Sequence, residues 1–131
     1  MAEIEGDSTF ESATRFAKMR SASTGYTIMA LQLRPNCEYC DKDLPPNAMD
    51  ARICSYECTF CATCVTQVLA NVCPNCGGGF TPRPVRPVHH WKGDNYLAKD
   101  PASTIVKHRP VDRVEHARFC ARIQPIPAEQ R

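Results

Sequence analysis

Eight of the nine cysteines fall between Cys37 and Cys76, in the order Cys37-x2-Cys40-x13-Cys54-x3-Cys58-x2-Cys61-x2-Cys64-x8-Cys73-x2-Cys76. A thiolate zinc site needs four sulfurs converging on a tetrahedron at about 2.3 Å, and two cysteines separated by two residues present half of one from a single turn. The repeated half-sites supply ligands for two ions with none left over. Four thiolates close the coordination sphere, so the implied role is structural, because a catalytic zinc keeps an open position.

In an oxidising compartment the same thiols would form disulfides. The first residues carry Glu3, Glu5 and Asp7 instead of a basic start, and no apolar run follows before Ser21, so no secretory signal is read. No stretch approaches the roughly 20 apolar residues of a membrane span. The expected location is the cytoplasm, where thiols stay reduced and zinc is favoured over disulfides. The run Cys54, Cys58, Cys61 and Cys64 also resembles the clustered spacing of a four-iron site, but it leaves Cys37, Cys40, Cys73 and Cys76 to make a separate one.

The stretch that must hold these sulfurs has little core of its own. Its larger apolar side chains besides tyrosines are Leu44, Met49, Ile53, Phe60, Val65, Val68, Leu69 and Val72, too few to offset the entropy of ordering the segment without cross-links. Structural zinc contributes roughly 10 to 16 kcal/mol in small peptides at neutral pH, enough to supply the deficit. Ala51 and Ile53 alternate before Cys54, and Ser55 to Cys58 is compact enough to turn, so Ala51 to Phe60 reads as a hairpin. After Cys64, the residues Val65, Val68, Leu69 and Val72 recur at i, i+3, i+4 and i+7, one apolar face of a short helix with Thr63 as its cap and Asn71 near its end. Upstream, Leu31 and Leu33 alternate with Gln32 and Arg34 as a short strand would, ending at Pro35.

Composition divides the chain into three. Residues 1–28 are small and polar, a flexible N-terminal arm or start-site extension with at most a weak helix around Phe10 to Met19; Met29 opens MALQLRPNC, which looks like a natural start. Residues 29–80 form the two-zinc module. Residues 81–131 begin with TPRPVRPV, in which Pro82, Pro84 and Pro87 favour an extended linker, and continue as a Pro-rich C-terminal tail with a candidate helix at Val111 to Ile123. The formal net charge of +2 splits into −1, −2 and +5 over these segments. Each zinc held by four thiolates leaves a charge of −2, so loading takes the module to about −6. A phosphate backbone would be repelled by the module and attracted only by the tail.

Within the tail, Trp91, Tyr96 and Phe119 are the groups a nucleic-acid reader would stack on bases. Its basic residues are dispersed among five acids, and a solvated face, or docking on a protein, is the favoured reading. His89, His90, His108 and His116 have no useful ligand spacing beyond the adjacent pair and read as exposed. Cys120 lies beyond two filled tetrahedra and is not expected to bind metal; its neighbours Arg118 and Arg122 would lower its pKa. No nucleophile with a base partner, paired carboxylates or phosphate loop is present in the sequence, so a non-enzyme is expected.

The order of eight ligands, the segment ECTFCATC from Glu57 to Cys64 and CPNC from Cys73 to Cys76 resemble a RING-type cross-brace zinc finger, in which the phenylalanine before the fifth ligand and the proline after the seventh recur. From Met29 to about Pro87, the wording LRPNCEYCDKDLPPNAMDARICSYECTFCATCV is similar to a family of small bacterial proteins described as domain of unknown function 1272, and DPAST from Asp100 to Thr104 is similar to it as well. The first resemblance implies a small α+β zinc-stabilised module, RING-like cross-brace or treble clef, with a short hairpin and one short helix; the second brings no activity. RING ubiquitin ligases usually offer an apolar residue after the first ligand and often a basic one after the last, where this chain has Glu38 and Gly77. Their common fourth-ligand histidine is Cys58 here, and a fold does not carry its function with it.

Spacing alone permits sequential or interleaved sites. The RING resemblance, together with the anchoring of both faces of the helix after Cys64 that interleaving would give, points to Cys37, Cys40, Cys61 and Cys64 on a first zinc and Cys54, Cys58, Cys73 and Cys76 on a second. The resulting expectation is a cytoplasmic, non-enzymatic zinc protein that recognises another protein, with no membrane partner. Nucleic-acid binding through the basic tail is the alternative, and a RING-type ligase module the third.

Overall fold

The computed structural model describes residues 30–131. The expected N-terminal arm, its weak helix around Phe10 to Met19 and the start at Met29 lie outside the described residues. The rest is a small α+β structure. Strand β1 (Ala51–Ile53) and strand β2 (Thr59–Cys61) pair as an antiparallel hairpin with Ala51 opposite Cys61 and Ile53 opposite Thr59. The turn between them closes through the Cys54 N–H to Cys58 O at 3.2 Å, with Glu57 in the left-handed region at φ 67°.

A helical turn, α1 (Ala62–Cys64), follows β2 directly and widens through Val65–Leu69. Cys61 occupies its N-cap position without a side-chain hydrogen bond, so Thr63 is not the cap the sequence suggested but sits inside the turn. The helix stops because Ala70 and Asn71 take φ values of 52° and 58°, a conformation that ends helices. The Asn71 side chain then accepts the Phe80 N–H at 2.9 Å, aiming the chain back toward the sheet. Val65 and Leu69 are buried in one cluster with Phe60, whose ring meets Phe80 edge-on at 5.5 Å, and Val72 is buried as well.

Two segments differ from their sequence reading. Leu33 is buried, but Leu31 to Leu33 forms no strand, since its carbonyls are taken by later segments: Ser103 N–H donates to Leu33 O at 3.0 Å and the Arg86 guanidinium to Leu31 O. Thr81–Pro82, expected as linker, is strand β3, antiparallel to β1 on the side away from β2. Proline is tolerated there because an edge strand leaves one row of N–H positions unused. Arg83 explains the pairing: it is buried, and its guanidinium donates to the carbonyls of Arg34, Leu44 and Pro45 at 2.9, 3.3 and 2.9 Å. An arginine with an apolar stem and several donors can tie three carbonyls together at once.

The C-terminal segment also packs on the module. Helix α2 (Arg113–Ile123) starts where Asp112 accepts the N–H groups of Val114 and Glu115, both at 3.0 Å, the side-chain cap that aspartate provides well. His116 on this helix is buried rather than exposed, its Nε2 donating to Leu69 O at 3.0 Å, and the Cys120 thiol donates to the same carbonyl at 3.3 Å. That carbonyl lies at the end of the widened helical turn, where intrahelical donors run out. Among the described residues, no helix is long and apolar enough to cross a membrane.

Candidate metal centre

The cysteines arrive on three kinds of turn. In Cys37–Cys40 and in Cys73–Cys76 the backbone follows one pattern. The first cysteine's carbonyl accepts the N–H four residues on, from Asp41 at 2.9 Å and from Gly77 at 2.8 Å, while its own N–H donates to Lys42 O and to Gly78 O, both at 2.8 Å. The residue after the second cysteine is left-handed in each, Asp41 at φ 65° and Gly77 at φ 80°. The two knuckles are thus equivalent turns, 36 residues apart in the chain. Cys54 and Cys58 come from the hairpin turn, and Cys61 and Cys64 from the junction of β2 with α1, where a three-residue step puts both on one side of a helical turn.

These turns converge as two interleaved sets. The sulfurs of Cys37, Cys40, Cys61 and Cys64 all lie within 4.8 Å of one another, and so do those of Cys54, Cys58 and Cys73. Cys40 Sγ is 3.9 Å from Cys61 Sγ, close to the roughly 3.8 Å that bonds of about 2.3 Å on a tetrahedron require. The consecutive run Cys54, Cys58, Cys61 and Cys64, considered as a four-iron site, is divided between the two sets. So are the sequential sites that spacing alone allowed. Cys76 stands apart from the close triad: its side chain is exposed and its sulfur takes the Gly78 N–H at 3.4 Å. Its knuckle has the same backbone pattern as Cys37–Cys40.

The surroundings are those of sulfurs that carry charge. Backbone N–H groups of Tyr56 and Asn75 donate to Cys54 and Cys73 sulfurs at 3.3 and 3.4 Å, and Asn75 Nδ2 donates to Cys58 Sγ at 3.3 Å. The Cys73 thiol, with Asn75 and Cys54, donates to Cys58 and lowers its pKa to about 5 against the cost of burial. Burial raises Cys54 to about 11 and raises Cys64 further; Cys73 is raised first by its bond to Cys58 and then by burial. At Cys37, burial pushes the thiol up, and the N–H groups of Cys40, Cys61 and Tyr39 outweigh it, leaving the pKa lowered. Clustered thiols of this kind cannot all ionise beside one another unless a cation compensates them. Donor type, convergence and N–H···S support therefore fit a soft divalent metal held by thiolates.

Glu38, noted in the sequence only as a departure from an apolar position, is the residue whose structural part was missed. It is 1% exposed and sits between Cys37 and Tyr39. Its carboxylate accepts the Thr59 N–H at 2.9 Å and pairs with Arg34 at 2.7 Å and Arg109 at 3.4 Å. Its backbone N–H reaches Thr59 O at 3.0 Å, and its carbonyl takes the Arg109 N–H at 2.8 Å. One side chain thus joins the first knuckle to β2 and to the C-terminal segment. His108 Nε2 donates to Tyr39 O and Asn36 Nδ2 to Lys107 O, so the segment straps the same knuckle.

The remaining candidates do not join a cysteine set. His90 stacks on Tyr96 with centroids 4.9 Å apart, His89 meets Trp91 edge-on at 5.4 Å, and Trp91 is 76% exposed. Phe119 faces Gly77 and lies under Arg122. Cys120 has a raised pKa because burial dominates; the arginine that opposes it is Arg131, not Arg118 or Arg122 as the sequence suggested.

Comparison with known proteins bears on the segment that holds both sets. The family model described as "Protein of unknown function (DUF1272)" matches residues 30–86, which span the sheet, α1 and all eight clustered cysteines. The chain is similar to an uncharacterized protein of Rhizobium meliloti (strain 1021), 57% identical over 80 residues that cover 61% of this chain and 88% of the relative. No solved structure matches it. With a relative matched over most of its length and the cysteine module matched throughout, the chain belongs to the DUF1272 family.

Proposed function

We propose that this chain is a zinc protein with two structural four-cysteine sites in a RING-like cross-brace, working in the cytoplasm as a non-enzymatic module for recognising another protein. The observation that carries the reading is the interleaving of the sulfur sets, Cys37, Cys40, Cys61 and Cys64 against Cys54, Cys58 and Cys73, with Cys76 three residues along the chain from Cys73. Zinc favours tetrahedral thiolate sites, and a core this small gains its folding energy from such cross-links. Cys37, Cys40, Cys61 and Cys64 would hold the first ion; Cys54, Cys58, Cys73 and Cys76 the second. When bound, the ions supply charge compensation and a fixed crossing of the two knuckles.

Binding surfaces then lie outside the metal centre. A RING-type ligase reading is not favoured, because Glu38 is buried in ion pairs where an exposed apolar contact would be needed. The exposed Trp91 beside the His90–Tyr96 stack favours nucleic acid as the second reading. Metal analysis of the reduced, purified protein tests the first part: two zinc ions per chain are expected, and a strong chelator should unfold the 37–76 core. Iron in place of zinc, or one metal or none in a folded sample, rejects it. Affinity capture from the native host, followed by a salt titration of any binding found, separates the classes, since phosphate contacts give a steep negative slope of affinity against salt.

A further inference from the structure

We infer that the two metal sites are unequal, and that Cys76 is a detachable ligand which makes the second ion the exchangeable one. The inference rests on the zinc reading above. The two knuckles share one backbone pattern, so a comparison of Cys40 with Cys76 isolates the side chains. Both are exposed. Cys40 nevertheless belongs to a complete set of four sulfurs, 3.9 Å from Cys61. Cys76 lies outside a close set of three, its sulfur satisfied by the Gly78 N–H at 3.4 Å. Exposure does not separate them, and neither does the N–H two residues on, since Lys42 supports the Cys40 sulfur as Gly78 supports that of Cys76; the completeness of the sulfur set does.

The surroundings of Cys76 allow the exchange. The three partners Cys54, Cys58 and Cys73 are buried and held by backbone or side-chain donors of their own, so they form a preformed three-thiolate cup. Cys76 is followed by Gly77, Gly78 and Gly79, and lines an open groove of about 490 Å³ together with Tyr56, Asn71, Phe80 and Arg131. Arg131 donates there to Asn71 O at 2.9 Å and to Gly77 O at 3.2 Å, which places a cation at the groove wall. A small thiolate or a carboxylate chelator can enter the groove, whose wall carries Glu129 as well as Arg131, and take the fourth position while Cys76 turns outward. At the first site, Cys64 and Cys61 are buried beside Cys37 and the closed set has no such fourth arm. Removal of a ligand from the first site breaks a complete set of four, whereas removal of Cys76 leaves the three buried sulfurs of the second to hold the ion more weakly.

The test uses the full-length, zinc-loaded protein with EDTA as the competing ligand and iodoacetamide as a thiol probe. The expected result is biphasic release, with the fast ion leaving at a rate proportional to EDTA concentration and the slow ion at a rate independent of it. Peptide mapping during the fast phase should find Cys76 alkylated ahead of the other seven clustered cysteines. Cys76→Ser should retain two zinc ions, one of them lost to EDTA faster than the fast ion of the unaltered protein, whereas Cys40→Ser should retain one. Should Cys76→Ser fail to fold, the alkylation order in the unaltered protein decides. Release of both ions in a single phase, or labelling of Cys37 or Cys40 first, overturns the inference and leaves the zinc reading standing. A folded protein without two zinc ions overturns both.

Discussion

Asn75 Nδ2 donates to Cys58 Sγ across 3.3 Å, so the second knuckle places a donor on a sulfur that belongs to the hairpin turn. Its backbone N–H also donates to Cys73 at 3.4 Å. One residue therefore supports two sulfurs of the same set from outside the coordination sphere. Asn75→Ala is expected to weaken the second site by about 10–100-fold and to leave the first unchanged. Competitive titration with a calibrated zinc indicator measures this, and equal loss at both sites would contradict the pairing of Cys58 with Cys73.

Glu38 and Arg109 form a lopsided ion pair at 3.4 Å, with side-chain exposures of 1% and 62%. The buried partner also serves Thr59 and Arg34. Glu38→Ala should destabilise the zinc-loaded protein by about 3–5 kcal/mol, because it strands donors in a dry site. Arg109→Ala should cost no more than about 1 kcal/mol, as for other exposed partners. Denaturant unfolding at fixed free zinc distinguishes them, and similar costs for both would mean that the carboxylate is not the hub.

Gly77 takes φ 80° while its N–H closes the second knuckle on Cys73 O. A Cβ there meets Phe119 and Ile123 at 3.4 and 3.9 Å, which is ordinary contact, so the cost of Gly77→Ala comes from the backbone. It is expected at about 1–2 kcal/mol. A lysine at this position, of the kind RING ligases carry, should meet the same cost. An unchanged unfolding midpoint for Gly77→Ala would show that the knuckle relaxes.

Cys120 donates to Leu69 O at 3.3 Å, and burial raises its pKa with Arg131 opposing. A raised pKa leaves less thiolate than a free cysteine has at pH 8, so alkylation of Cys120 should be slower than that of cysteine in a short peptide. The rate should keep rising with pH above the point where the peptide levels off. Cys120→Ser should keep two zinc ions and shift the melting temperature little. Loss of metal in that variant would make Cys120 a ligand and undo the assignment of the eight.

The hairpin and α1 were legible because their signals are local. Alternation at Ala51 and Ile53 marks a strand, and the apolar face after Cys64 marks a helix, whatever the rest of the chain does. The candidate helix at Val111 to Ile123 was legible too, but its Asp112 cap was seen only in the structure. The Thr81–Pro82 strand was not legible. Its prolines favour an extended linker, and only Arg83, reaching carbonyls 38 to 49 residues upstream, turns that segment into a sheet edge. The buried carboxylate of Glu38 was hidden for the same reason, since its partners Thr59 and Arg109 lie 21 and 71 residues away.

By itself, the sequence determined the chemistry of the centre: eight thiols in half-site spacing, too little apolar surface to fold without cross-links, and a knuckle geometry that Cys-x2-Cys imposes locally. Which half-sites meet was decided by tertiary structure. Spacing constrains sulfurs within a turn, but the distance between turns depends on the sheet, the crossing of α1 and the strap from the C-terminal segment. Those contacts bring Cys37 to Cys61 and Cys54 to Cys73 while leaving Cys76 at the groove, because long-range packing, unlike turn geometry, is a property of the whole folded chain.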